Sequence, residues 1–154
     1  MQLFSICFTG GGHHGAMTGG MSISVSGLQA ASLQFSVAAS NIVNMNSDGA
    51  VPSSPPSQPV DQSSSNVYQP LTVSQTPGLN GGVTASVQPS LPAYLLAYSP
   101  QAPYANMQGM VAAPNVDMTT ELVHMREAAN SFRANLLALK VASRMTDTLL
   151  DTVA

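Results

Sequence analysis

Few side chains in this chain are of a kind that does chemistry. Its 154 residues include three histidines, one cysteine, seven carboxylates and four basic groups. His13-His14 with Cys7 are metal-ligand types, but an adjacent pair in a glycine-rich tract with no fourth ligand in view does not make a site. Serine is abundant, yet no Gly-x-Ser-x-Gly elbow occurs to raise a nucleophile. Gly10-Gly11-Gly12 is not followed by a lysine and so is no phosphate loop. His124 stands within a helical pattern, where a surface or packing role is expected. General acid–base work needs titratable groups that converge. Here Arg126, Arg133, Lys140 and Arg144 all follow residue 115, as do five of the seven acids, and only Asp48 and Asp61 precede it. No catalytic residue, no metal and no cofactor is expected.

Only 7% of residues are charged, against about 25% in an ordinary soluble domain. Four cations cannot track a phosphate backbone, so nucleic acid is not expected as a partner. A net charge of -3 and no polybasic run argue against direct lipid binding. Ser, Gln, Asn and Gly interrupt the uncharged first 47 residues before any run reaches the roughly 20 apolar residues of a membrane helix. Leu3-Phe4-Ser5-Ile6-Cys7-Phe8 is too short for a signal core and lacks a basic flank. A single cysteine makes no internal disulfide.

The elements that must position the remaining polar groups are two helices. Met21, Ser24, Leu28, Ala31, Phe35, Ala38, Ile42 and Met45 alternate in steps of three and four, a heptad seam. The pattern predicts a helix over 23–46, stopped by Asn44 to Gly49. Met118, Leu122, Met125, Ala129, Phe132, Leu136 and Leu139 repeat the pattern near the other end. Val141, Met145 and Leu149 extend an apolar face there, and the predicted helix covers 118–152. Asp117 and Glu121 put negative charge at its start, where the helix dipole favours it. Between the helices, Val67–Val73 and Val83–Val87 read as strands joined by Pro77–Gly82, and Tyr94–Tyr98 as a third. Pro70 and Pro89 suggest edge positions.

The expected fold is mainly α with a small β insertion. The two heptad helices pair, parallel or antiparallel, as a coiled-coil-like core. The chain divides into a flexible extension (1–20), with Met17 or Met21 a possible true start, and an N-terminal axial helix (21–49). A mobile Pro/Ser-rich loop (50–66), a β/loop region (67–113) and a C-terminal axial helix (114–154) follow. Two such helices have too little core to stand alone, so their outer faces call for protein partners.

Gly27-Leu28-Gln29-Ala30 followed by Val37-Ala38-Ala39-Ser40-Asn41-Ile42-Val43-Asn44 resembles the N-terminal signature of bacterial flagellar rod and hook proteins. The C-terminal end is similar to the same family through Pro114-Asn115-Val116-Asp117, Glu121-Leu122-Val123 and Phe132-Arg133-Ala134-Asn135. Tyr98-Ser99-Pro100 through Gly109-Met110-Val111 fits the connection of the short proximal-rod member, as does the length of 134 residues from Met21. The resemblance implies a structural subunit of the proximal rod. It implies helical assembly with itself and other rod subunits, torque transmission from motor to hook, and export through the flagellar type III apparatus.

On the seams and matched strings, the assembly interface is expected at Leu28, Phe35, Asn41, Ile42 and Asn44, and at Leu122, Met125, Phe132, Asn135, Leu136 and Leu139. Asn41 and Asn44 lie on one helical flank. They read either as inter-subunit register bonds or as a helix end turning into a loop. The second functional reading is a secreted helical module that binds a partner through its amphipathic ends.

Overall fold

The computed structural model describes residues 13–61, 66–79 and 81–153. Helix α1 spans His13–Val43 and helix α2 spans Met118–Val153, about 46 and 54 Å long at 1.5 Å per residue. Strands β1 (Leu71–Pro77) and β2 (Val83–Pro89) form one antiparallel hairpin. Strands β3 (Tyr94–Tyr98) and β4 (Met110–Pro114) form another. The architecture is mainly helical with a small β region between the helices, as expected.

α1 starts eight residues before Met21, so His13–Gly20, expected within a flexible extension, is helical. Once a helix is nucleated, each added residue gains a hydrogen bond for one more fixed residue, and helix can spread into a weak glycine-rich flank. Cys7 and the rest of the extension lie outside the described residues. At the other end, Asn44 closes α1 by donating from Nδ2 to the Ser40 carbonyl at 2.9 Å, and the Ser47 N–H reaches the Asn44 carbonyl at 3.0 Å. α2 is capped by Asp117, whose Oδ2 accepts from the Thr120 N–H at 2.9 Å and the Thr120 hydroxyl at 2.6 Å.

The strands differ from expectation in two places. β1 begins at Leu71 rather than at Val67, because Pro70 has no N–H to offer a ladder; Leu71 pairs with Pro89 and Pro77 with Val83. β4, expected as loop, pairs Tyr94 with Pro114 through Tyr98 with Met110. Gly49 adds to the open side of β4, exchanging two 2.9 Å hydrogen bonds with Ala112. A Cβ there would collide with the Val67 amide nitrogen and lie 2.9 Å from the Asn66 carbonyl carbon. These are backbone atoms that cannot move aside, so only glycine fits.

A small apolar core sits on this β3–β4 unit: Val60, Val67, Ala93, Tyr94 and Ala112, with Val51 packed against it. The Pro/Ser-rich segment expected to be mobile supplies Val51 and Val60, and its described part is tied down. The Ala93 N–H bonds the Pro56 carbonyl at 2.8 Å, the Tyr94 hydroxyl bonds the Ser54 carbonyl at 2.8 Å, and the Val60 N–H bonds Gln69 Oε1 at 2.7 Å. Prolines already hold φ near one value, so ordering such a segment sacrifices less chain entropy.

Candidate assembly interface

Asn41, expected to reach a neighbouring subunit, is only 1% exposed and makes all its bonds within the chain. Its Nδ2 donates to the Leu71 carbonyl and to Glu121 Oε1, both at 2.8 Å. Its Oδ1 accepts from the Tyr68 hydroxyl at 3.0 Å and the Leu71 N–H at 3.1 Å. One amide thus joins α1, the start of β1 and the first turn of α2. Both ends of the amide are satisfied within the subunit, which uses its hydrogen-bonding capacity. Asn44 sits where the end of α1 turns into a loop, its amide bonded to the Ser40 carbonyl.

Asn41 beside Glu121, and Gly27 beside Asn135, make the helix pair antiparallel. The contact line is not the one the large apolar residues trace. α1 presents Ser24, Gly27, Ala31 and Ala38; α2 presents Ala128 and Asn135 between Glu121 and Ala142. A Cβ on Gly27 would stand 2.5 Å from Asn135 Oδ1 and 2.7 Å from the rest of its amide. Small side chains let two helix axes approach closely, and here they displace the leucine and phenylalanine seam from the contact. Asn135 also donates to the Ser131 carbonyl of its own helix at 2.9 Å.

On its other side α1 meets the β1–β2 hairpin. The Val83 N–H donates to Ser26 Oγ at 3.1 Å, and Ser26 donates to the Ile23 carbonyl at 2.7 Å. α1 is therefore flanked on two sides by its own chain, which accounts for serine and glutamine where a solvated helix carries lysine and glutamate.

The large residues of the predicted α2 seam remain in solvent. Met118, Leu122, Phe132 and Leu136 are between 39% and 49% exposed, Met125 and Leu139 are half-buried, and Phe35 of α1 is exposed beside them. Phe35, Phe132, Ala31 and Ala129 line an open apolar cleft of about 300 Å³ with Arg133 at its rim. Leu122, Val123 and Met125 line a neighbouring one, again with Phe35. Leu28 and Ile42 are half-buried on α1. Val141, Met145 and Leu149 form a separate exposed patch further along α2.

Charge is sparse around this surface. Glu121 takes the Asn41 amide on one oxygen and faces His124 Nδ1 at 3.4 Å with the other. The Thr120 hydroxyl and N–H hold the Asp117 carboxyl below the usual carboxylate range. Among the described residues no cluster of three potential metal ligands occurs, and no helix is long and apolar enough to cross a membrane.

Sequence reasoning passed over Gly27, Ala128, Tyr68 and Gln69. Gly27 carried a legible signal, since an isolated glycine inside a helix costs about 1 kcal/mol against alanine and points to a close approach. Gln69 carried none: its Nε2 serves the Pro70 and Ser90 carbonyls at 2.9 and 3.0 Å across the β region.

Known proteins are similar to this chain in sequence. Residues 107–152 match the family described as flagellar basal body rod FlgEFG protein C-terminal. The flagellar basal-body rod protein FlgC of Salmonella typhimurium is 38% identical over 130 residues, covering 82% of this chain and 91% of that protein. FlgC of Aquifex aeolicus is 29% identical, covering 81% and 88%, and FlgC of Bacillus subtilis 27%, covering 81% and 90%. These relatives are named as rod proteins, in keeping with the expectation of a structural chain rather than an enzyme. With 38% identity over 82% of this chain and 91% of the Salmonella typhimurium protein, the chain belongs to the FlgC family of flagellar basal-body rod proteins.

Proposed function

We propose that this chain is a subunit of the proximal part of the rod, and that it assembles helically with other rod subunits to carry torque from motor to hook. Its helices lie along the assembly, and export runs through the flagellar type III apparatus. The single observation that supports this most is the row Met118, Leu122, Phe132, Leu136, half in solvent on a helix whose adjacent face is already packed against α1. A monomer rarely leaves so continuous an apolar row uncovered. Completing the burial of each such side chain stabilises by about 1 kcal/mol, and many staggered contacts of that kind make a stiff shaft. The proposed interface comprises Leu122, Met125, Phe132, Leu136 and Leu139 with Phe35, flanked by Leu28 and Ile42, while Asn41, Asn44 and Asn135 act within the subunit.

Leu136→Asp tests this. It puts a charge at the centre of the row on a half-exposed site, where the subunit itself tolerates it. Cells carrying it should export the protein but fail to build rods and to swim, whereas Leu136→Met should swim. Full motility of the aspartate variant would overturn the proposal.

A further inference from the structure

The exposed row sits at the a and d positions of its heptad, with Leu122, Ala129 and Leu136 at a and Met125, Phe132 and Leu139 at d. In that frame Arg126, Arg133 and Lys140 all occupy e, seven residues apart and about 10.5 Å per step along the helix. All three are exposed, and among the described residues none forms an ion pair. The next e position is Asp147, also exposed. The rim of the apolar row therefore reads three positive charges and then one negative. Arg126 and Arg133 border the two clefts that Phe35 shares with α2.

In paired helices the e positions face the e positions of an antiparallel partner or the g positions of a parallel one, and they set partner choice. This chain cannot supply the matching row. α1 has no charged residue from His13 to Val43. The g row of α2 is Glu121, Ala128, Asn135 and Ala142, which faces α1 and is closed to a second copy. An antiparallel second copy that overlays the apolar stretch on itself sets Arg126 against Arg133 twice. Sliding it until Arg126 meets Asp147 carries Leu122 past the apolar stretch, level with Asp151.

We propose that this face selects a helix of a non-identical protein whose carboxylates recur at seven-residue spacing beside an apolar seam, with a positive group opposite Asp147. It rests on the rod reading and adds the chemistry of the partner. The positive row admits the acidic helix, rejects a second copy of α2, and fixes register through the change of sign at Asp147.

The test uses the full chain and two designed 28-residue amphipathic peptides with the same Leu/Ala seam, one with Glu and one with Lys at its e and g positions. Fluorescence anisotropy at low salt should show the Glu peptide binding about tenfold more tightly, since each exposed pair contributes a factor of about two. The preference should shrink at high salt. The combined Arg126→Glu, Arg133→Glu, Lys140→Glu variant, unchanged by circular dichroism, should invert the preference. Equal binding of the two peptides, or a preference the reversal leaves unchanged, would sink the proposal. The rod reading is scored separately. If Leu136→Asp abolishes motility while the charge-reversed strain swims normally, the interface stands and charge selection fails. If the peptides show the preference while the Leu136→Asp strain swims, the interface reading fails and the charge selection stands.

Discussion

Asn41 is the residue on which the subunit's three parts depend. Truncation in Asn41→Ala leaves the Leu71 N–H and carbonyl and one Glu121 oxygen without their partner. Stability should fall by about 2–3 kcal/mol, read from urea denaturation of the purified chain. Asn41→Asp should be worse at neutral pH, because it sets a second carboxylate against Glu121. Two carboxylates so close share a proton readily and titrate above the usual range. The variant should therefore regain stability as pH falls through that raised value, and a loss of stability on mild acidification would contradict this account.

Asp117 has the opposite sign. Its carboxyl is held low by Thr120, so the cap is fully present above the ordinary carboxylate pKa and is lost as pH falls through the depressed value. The protection of the Thr120 amide relative to its intrinsic exchange rate at each pH should fall on acidification, and Asp117→Asn, which keeps a capping oxygen, should flatten that dependence.

Among the elements, the helices were legible and their contacting faces only in part. Periodicity finds large apolar residues, and these mark α2 from Met118 to Leu139 correctly as helix. On α1 the seam positions Ser24, Ala31 and Ala38 do meet the contact; on α2 the contact lies one residue before the seam, at Ala128 rather than Ala129, because Gly27 and these small residues let the backbones close where leucine and phenylalanine would hold them apart. The same bias hid β4: Met110-Val111-Ala112-Ala113-Pro114 has few strong strand formers, and its pairing with β3 and Gly49 comes from tertiary contact. Gly27→Ala isolates the contact. Alanine favours the helix by about 1 kcal/mol, yet its methyl meets the Asn135 amide. Net destabilisation is expected, with Asn135→Ala restoring stability in the double variant. A stabilised single variant in urea titration would show that the helices do not meet there.

At the scale of the whole molecule, the division of labour is by size and charge. Small uncharged residues hold the helix pair together, large apolar residues of α2 remain exposed, and the few cations border that outward row. The 7% charge content first appears as missing chemistry. In the folded chain it follows from α1 lying between α2 and the β1–β2 hairpin, which leaves most of the titratable groups to α2. The family was legible because its marks are short strings at both ends of the chain. The exposed apolar surface was legible only in part, because a seam of large residues is the same pattern whether it is covered by its own chain or by another.

Helices that touch through glycine and alanine form a smooth rail, since shallow side chains offer little resistance to sliding by whole turns. Gly20 lies one heptad before Gly27 and would give Asn135 a second seat in a slipped register. That slip carries Asn41 away from Glu121 and level with Pro114, with the β1 backbone bonds of the same amide still to be kept. The buried amide is therefore the indexing pin of the pair. A shaft that adds up many such subunits would multiply any error in one of them, and this amide holds the helix pair of each in register.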